Sequence, residues 1–338
     1  MATHPRPRVR ALPRCLPAVL LCLTALVRAE TPLHLGLLPA GPPAGDAKDQ
    51  FPPVTAELVA DVSAIRPGAT FHLGVLLRIP PGWHVYWKDP GEAGMPTTVD
   101  FRLPDGYRAG EMRWPLPKTF RQAGDILGYG YEEQVLLWVP VTAPITAAPG
   151  SEAELRADAA WFACKDRCVA GQAAPRLRLP VADASRPARR ELFERWRRLL
   201  PVPAADCASP VEAVTVSGDI PAGQRSGRFT LEATWKAAPK AVEWFPAARD
   251  DIEVADVAVE TTGQRTVVTF TVGLLLEPKA PSKILETVLA AVDAEGVRRG
   301  VQIAVPVRTP RAAPSPAVSS TSPRPAGCEA TANQRRTP

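Results

Sequence analysis

Beyond its N-terminus, the sequence lacks any apolar run that is long enough to cross a membrane. Residues 267–276 come closest, but Thr and Gly interrupt them and Glu277 ends them. A membrane-spanning helix needs about 20 predominantly apolar residues. We therefore expect the mature chain to be soluble.

The sequence also has little excess charge of one sign. Its formal net charge is +5, and about half of its arginines lie in the N-terminal leader, one helix-like segment and the C-terminal tail. Nucleic-acid-binding domains concentrate basic residues on one face, often with aromatic residues between them. No such face is recognisable, so we expect no nucleic-acid partner.

Cysteine is scarce, with six in the chain, and Cys15 and Cys22 lie in the leader. The other four are spread over roughly 300 residues, which is too sparse for a fold held together by disulfides. The close spacing of Cys164 and Cys168 is therefore better explained by function. Cys207 and Cys328 receive no assigned function, and they could be free, paired or intermolecular.

The first 29 residues have the three parts of a secretory signal peptide. Four arginines precede an apolar stretch at residues 15–27, and Ala29 offers a small residue for cleavage. A membrane anchor is the alternative, but the apolar stretch is short for a span. We predict a cleaved signal peptide at residues 1–29 and a periplasmic protein, in a compartment that permits disulfides.

Proline is abundant, and 39 prolines disfavour long helices. Short apolar runs bounded by Pro, Gly or Asp recur between residues 54 and 180 and again between 211 and 307. Regular short strands are typical of β-sandwiches and barrels. We predict an all-β fold with β-sandwich domains in tandem, at residues 51–182 and 211–308.

A helix and linker are predicted at residues 183–210. Within them, residues 186–200 place Phe193 and Trp196 at helical spacing, with Ser185 as a possible N-cap. A membrane-surface helix is the alternative to a linker helix docked on the first domain, which we favour. Residues 30–50 are expected to be a flexible lead-in, and the Pro/Ser/Arg-rich residues 309–338 a disordered tail.

The spacing of Cys164 and Cys168 requires a turn between them if they are bonded. Residues four apart in a straight strand are separated by about 13 Å, whereas disulfides need Cα atoms roughly 4.4–6.8 Å apart. A hairpin loop at residues 165–167 or a single helical turn would bring them together. Both remain possible from the sequence.

A disulfide across so short a loop stabilises the fold weakly, which favours a reactive pair. Lys165 and Arg167 should favour the thiolate, while Asp166 opposes it. An inert hairpin disulfide is the alternative. Two cysteines need further ligands to hold zinc, so we expect no metal site and no cofactor, although thiolates could still bind Cu(I).

Neighbouring aromatic residues and His84 are interpreted as structural. Trp83, Tyr86 and Trp87 could form a docking surface for a partner, but packing in a strand core is the favoured interpretation. His84 could act as a general base near a thiol, and we favour a structural position for it as well.

Several blocks of sequence together resemble a known family. Residues 81–96, 110–117 and 127–131, followed by the Cys164/Cys168 block, are similar to the N-terminal periplasmic domain of the thiol:disulfide interchange protein DsbD, especially its ScsB-like branch. The resemblance extends over about residues 50–310. It implies an immunoglobulin-like β-sandwich with one redox-active cysteine pair, and an association with cytochrome c biogenesis and copper tolerance.

The resemblance also implies how the pair is used. In the family, the cysteines receive electrons from a membrane domain and pass them to oxidised periplasmic thiol proteins. Cys168 matches the cysteine that forms the mixed disulfide, and Cys164 its resolving partner. The family shields the pair with a cap loop, for which Leu127, Tyr129 and Tyr131 are the predicted residues.

One departure from the family concerns the electron donor. Relatives usually continue into a membrane domain and a thioredoxin-like domain, whereas this sequence continues into a polar tail. We therefore predict a separately encoded membrane electron-transfer protein as the donor, with a truncated remnant as the other possibility. A non-enzymatic binding or copper-tolerance protein with a structural disulfide is the alternative function.

Overall fold

The computed structural model describes residues 54–122, 124–247, 251–276 and 282–308. All of these described residues belong to one compact unit. The predicted signal peptide at 1–29, the lead-in at 30–50, the tail at 309–338 and Cys328 lie outside the described residues. No helix in the described ranges is long and apolar enough to cross a membrane.

Short strands separated by Pro, Gly and Asp turns build the first β-sandwich. They are β1 (Thr55–Ala60), β2 (Val62–Ala64), β3 (Thr70–Arg78), β4 (His84–Gly91), β5 (Thr98–Arg102), β6 (Arg108–Ala109), β7 (Lys118–Arg121), β8 (Leu127–Glu132), β9 (Gln134–Thr142), β10 (Glu152–Cys164), β11 (Cys168–Ala173) and β12 (Arg176–Pro180). One sheet has the order β1-β3-β9-β6. The other has the order β11-β10-β4-β8-β7, with β5 and β12 also paired to β10.

The core of this sandwich follows from the alternation of side chains along each strand. In β4, Val85 and Trp87 belong to the buried apolar cluster, and in β10 Trp161 and Ala163 do the same. The residues between them point to the outer face of the sheet. The sequence-based expectation of core packing is therefore confirmed for Trp87, and Trp83 packs against the same cluster.

The predicted linker helix is shorter than the sequence pattern indicates. Arg186 and Pro187 form β13 (Arg186–Pro187), which pairs with β2, and α1 (Arg190–Arg197) begins only after Arg189, whose φ is 46°. The prediction of a helix from residue 186, capped by Ser185, is wrong because the backbone there joins a β-ladder. Docking is confirmed, since Phe193 and Trp196 are buried in the first core.

The second sandwich consists of two four-stranded sheets. Its strands are β14 (Val202–Pro203), β15 (Val211–Gly218), β16 (Ser226–Trp235), β17 (Ala241–Pro246), β18 (Ile252–Thr262), β19 (Arg265–Leu274), β20 (Ser282–Val292) and β21 (Arg298–Arg308). They form sheets of order β14-β21-β20-β17 and β15-β16-β19-β18 around a separate apolar cluster. The all-β prediction with sandwiches in tandem is confirmed.

The two sandwiches share part of their packing. Phe245 of β17 lies in the core cluster of the first sandwich, with ring centroids 6.1 Å from Trp87 and 5.0 Å from Tyr129. Glu243 of the same strand accepts a hydrogen bond from the Thr119 amide of β7 and pairs with Arg298. The edge of the first sandwich is therefore held by the second.

Candidate functional site

Cys164 and Cys168 face each other at the end of a β-hairpin. Cys164 ends β10 and Cys168 begins β11, and the two are register partners in the antiparallel ladder. They form a disulfide with Cα atoms 4.1 Å apart, and the Lys165 amide donates to the Arg167 carbonyl within the loop. Of the two possible turns, the structure has the hairpin.

The two cysteines differ in their exposure. Cys164 is 1% exposed, whereas Cys168 is exposed at the start of β11. Because Ala163 faces the core, its neighbour Cys164 faces the outer side of the sheet. The burial of Cys164 must therefore come from groups lying on that outer face.

Tyr86 of β4 lies on this outer face, between Val85 and Trp87 of the core. Its hydroxyl lies 3.8 Å from the Cys168 sulfur and accepts a hydrogen bond from the Gln122 side-chain amide at 2.8 Å. The disulfide carries no hydrogen, so the tyrosine hydroxyl is the donor to sulfur. Burial raises the pKa of Tyr86, with the Gln122 hydrogen bond opposing that shift, so the hydroxyl keeps its proton.

Phe120 covers the same face from the edge strand β7. Its ring centroid is 3.7 Å from that of His84 and 5.8 Å from that of Tyr86. Gly128 and Gly130 of β8 lie directly beneath it: a Cβ on Gly128 would come within 2.3 Å of the Phe120 ring. The two glycines thus form a floor on which the ring lies.

His84 occupies the next position of this aromatic group. It is 8% exposed, meets Tyr86 edge to face at 5.5 Å, and is the register partner of Cys164 on β4. Its Nε2 atom is buried without a hydrogen-bond partner among the described residues. Burial lowers the pKa of His84, and the charge of Glu132 partly opposes this shift.

The structure does not bring the predicted cap residues to the disulfide. Tyr129 and Tyr131 are buried in the core cluster, and Leu127 packs against that cluster. The Tyr131 hydroxyl donates to the Pro115 carbonyl, and burial raises the pKa of Tyr129 and Tyr131. Because strand residues alternate, these side chains lie on the opposite face of the sheet from the sulfurs.

Sequence reasoning missed Phe120 and Gln122, and it treated Tyr86 as core. A signal was present in the alternation of Gly128 and Gly130 with two tyrosines. Glycine in a strand often marks the close approach of another group. The alternation indicates one face filled by tyrosines and another left free for an aromatic ring, but it does not identify that ring.

The remaining polar residues near the site are mostly solvated. Lys165, Asp166 and Arg167 of the hairpin loop are all exposed.

Cys207 lies in the segment before β15, where its carbonyl accepts a hydrogen bond from Lys236. In the described part of the chain, no three His, Cys, Asp or Glu side chains are grouped so as to hold a metal ion.

Two solved structures align with most of the chain. The N-terminal periplasmic domain of ScsB from Proteus mirabilis has 17% sequence identity and a TM-score of 0.52, covering 75% of this chain and 92% of that one. The MSCRAMM ACE of Enterococcus faecalis, at 10% identity over 76% and 96% of the two chains, has a TM-score of only 0.23. The first similarity supports the fold.

Sequence comparison points to the same domain type. No curated protein sequence matches the chain. Residues 50–178 match the family model of the N-terminal domain of the thiol:disulfide interchange protein DsbD, and this range contains both cysteines of the hairpin. The first sandwich of this chain is therefore similar to the N-terminal domain of DsbD in both sequence and fold.

Proposed function

We propose that the chain passes reducing equivalents from a membrane donor to oxidised thiol proteins of the periplasm through Cys164 and Cys168. The observation that carries this proposal is the unequal exposure of the two cysteine residues. An incoming thiolate or disulfide reaches the exposed Cys168, while the buried Cys164 is accessible only from within the protein. This asymmetry suits one entry sulfur and one resolving sulfur.

The exchange proceeds in two balanced steps. In the reduced protein, the Cys168 thiolate attacks the partner's disulfide, forming a mixed disulfide and releasing the partner's other sulfur as a thiolate. The Cys164 thiolate then attacks Cys168, which forms the Cys164–Cys168 bond and releases the second partner sulfur. The partner gains two electrons and the hairpin is oxidised.

The donor and the compartment are part of the same proposal. A thiolate donor must reduce Cys164–Cys168 again before the next cycle, and a membrane electron-transfer protein supplies these electrons. Residues 1–29 direct export to the periplasm, where disulfides persist. Cytochrome c biogenesis and copper tolerance are the processes in which we would look for the oxidised partners.

The test is to trap the mixed disulfide. A Cys164→Ala variant expressed in the periplasm retains the entry sulfur and lacks the resolving one, so it should accumulate adducts through Cys168. Non-reducing electrophoresis and mass spectrometry would identify them. The matched Cys168→Ala variant should form far fewer adducts, and the absence of adducts from both variants would contradict the exchange function.

A structural disulfide is the competing interpretation, because the bond joins residues that the hairpin already pairs. Stable structural disulfides have reduction potentials below about −300 mV. Equilibration of the hairpin disulfide with glutathione and with dithiothreitol would measure this value. A potential well above that limit supports exchange, whereas one below it supports a non-enzymatic binding or copper-tolerance protein.

A further inference from the structure

A row of chemically complementary side chains crosses four neighbouring strands. Glu132 of β8 is the register partner of His84 of β4, His84 is the partner of Cys164 of β10, and Cys164 is the partner of Cys168 of β11. Directly opposed residues point to the same face of a sheet, with Cβ atoms about 4.5–5.5 Å apart. The row therefore runs carboxylate, imidazole, buried sulfur, exposed sulfur.

His84 is the unusual member of this row. Its side chain is 8% exposed and its Nε2 has no hydrogen-bond partner in the described part of the chain. A buried polar atom without a partner is uncommon and calls for an explanation, such as a redox or catalytic function. In the disulfide form Cys164 has no hydrogen to offer. Reduction gives Cys164 an S–H group beside this imidazole.

We propose that His84 accepts the proton of the Cys164 thiol during resolution, and that Glu132 supports the resulting imidazolium by its charge. This inference rests on the proposed exchange function and assigns a further residue to it. His84 would act on the resolving sulfur, and Glu132 would act only through His84.

With this assignment, the proton that leaves Cys164 in the resolving step has a defined acceptor. The Cys164 thiol passes its proton to His84 Nε2, and the thiolate so formed attacks Cys168 in the mixed disulfide. The bond between Cys168 and the partner breaks, and the partner sulfur leaves as a thiolate. The imidazolium then gives its proton to that thiolate or to water, which restores neutral His84.

The surroundings keep the imidazole available as a base. Burial holds the pKa of His84 below its usual range, so the ring is neutral near pH 7, and the charge of Glu132 raises its basicity in part. Glu132 itself pairs with Lys118 Nζ at 3.0 Å. Tyr86 lies on the same strand, and Lys165, Asp166 and Arg167 lie in the hairpin loop. Farther along this face, side-chain alternation places Lys88 of β4 and Asp158 of β10, and Asp158 pairs with Arg102.

The test follows both sulfurs in one experiment. Reduced full-length protein is mixed with dithiobis(nitrobenzoate), and the release of coloured thiolate is recorded from about pH 5.5 to pH 9, a range that covers ordinary His and Cys titration. The first release reports attack by Cys168 and the second reports resolution by Cys164. A Cys164→Ser/Cys168→Ser variant measures any release from the other cysteines, which is subtracted.

His84→Gln should slow the second release about tenfold at pH 7 and leave the first within about twofold. The variant rate should then rise about tenfold per pH unit toward the ordinary thiol pKa of about 8.5. His72→Gln is the matched control, because His72 lies in β3 of the other sheet, where its side chain pairs with Asp61. An unchanged second release and pH profile in His84→Gln would overturn the inference.

Glu132→Gln provides a second test at an exposed position, where substitutions usually change stability little. It should slow the second release about twofold, more at low salt because exposed charges are screened, while Glu133→Gln should have no effect. Equal rates in these two variants at low salt would contradict the assignment of Glu132. If the wild-type protein gives no second release, the proposed exchange function itself fails; if it does and only the variants show no effect, only this inference fails.

Discussion

At the level of single residues, Tyr86 connects Cys168 to Gln122 through its hydroxyl group. Its hydroxyl donates toward Cys168 and accepts from Gln122, and Gly94 packs so closely on its ring that an added Cβ would lie 2.4 Å from Cζ. The ring is therefore held in place from two sides. A fixed hydroxyl beside sulfur stabilises negative charge there, so the same contact should favour the Cys168 thiolate after reduction.

Removing this hydroxyl should make Cys168 less reactive. In Tyr86→Phe we expect the first release of coloured thiolate at pH 7 to slow by about two- to fivefold, since sulfur is a weak acceptor. The reduction potential should become more negative, because the thiolate form loses stabilisation. Tyr107→Phe is the matched control, and equal rates in the two variants would contradict a contribution from Tyr86.

The burial of His84 makes a separate prediction about stability. The unfolded chain protonates this histidine near pH 6.5, whereas in the folded protein burial holds its pKa lower. As pH falls below about 6.5, the unfolded state binds a proton that the folded state does not, so the free energy of unfolding decreases by up to about 1.4 kcal/mol per pH unit. Above about pH 6.5 His84 is neutral in both the folded and the unfolded state, so its contribution to the free energy of unfolding is fully present.

His84→Gln should remove this part of the pH dependence. Urea unfolding of the oxidised protein at about pH 7.5 and about pH 5.5 would measure it. The wild-type protein should lose more stability than the variant between these two values, and His72→Gln serves as the control for removing a histidine. An identical loss in wild type and His84→Gln would show that His84 titrates alike in the folded and unfolded states.

At the element scale, the β7–β8 pair functions as the cover of the site. Phe120 of β7 lies over Gly128 and Gly130 of β8, while Tyr129 and Tyr131 alternate into the core. One strand thus serves both faces. On the outer face, Gly128 and Gly130 leave room for the Phe120 ring. On the inner face, Tyr129 and Tyr131 anchor the strand in the core.

A methyl group at Gly128 should therefore displace the cover. The three atoms nearest to the added Cβ would all belong to the Phe120 ring, at 2.3–2.9 Å, so Gly128→Ala should lift the ring and cost about 1–3 kcal/mol of stability. We expect dithiothreitol to reduce the Cys164–Cys168 bond about threefold faster or more, because access limits thiol exchange.

Two further variants test whether the Phe120 ring limits access to the disulfide. Phe120→Ala should reproduce the faster reduction without the steric conflict. Gly273→Ala is the matched control, because its added Cβ would have only ordinary contacts, the nearest at 3.6 Å to Glu253. If reduction is unchanged in both Gly128→Ala and Phe120→Ala, the ring does not limit access to the disulfide.

At the scale of the whole molecule, the second sandwich supports the edge strand of the first. Glu243 accepts from the Thr119 amide, one residue before Phe120, and pairs with the partly buried Arg298. Phe245 completes the core beneath Trp87 and Tyr129. The position of the cover thus depends on residues more than a hundred positions later in the sequence.

Glu243→Gln should loosen this support without altering the volume of the side chain. We expect amide exchange of residues 118–121 to become at least about fivefold faster, which corresponds to roughly 1 kcal/mol of local stability. Glu253→Gln, at an exposed position of β18, is the matched control. Equal protection of Thr119 in the two variants would show that β7 is held by the first sandwich alone.

Much of the fold could be predicted from the sequence. Short apolar runs between Pro, Gly and Asp indicate strands, and the spacing of Cys164 and Cys168 requires a turn. The helix start was predicted too early because a possible N-cap at Ser185 does not reveal that Arg186 and Pro187 pair with β2. Pairing with a distant strand depends on the tertiary structure, and local patterns in the sequence do not predict it.

The amino-acid sequence alone specifies the available chemistry, namely two cysteines four residues apart, and the type of domain that carries them. Tertiary structure decided which sulfur is exposed and which neighbours act on it. Strand register places His84 opposite Cys164 and turns Tyr129 and Tyr131 into the core. A shift of one residue in that register would move every side chain to the other face, so these assignments depend on long-range pairing.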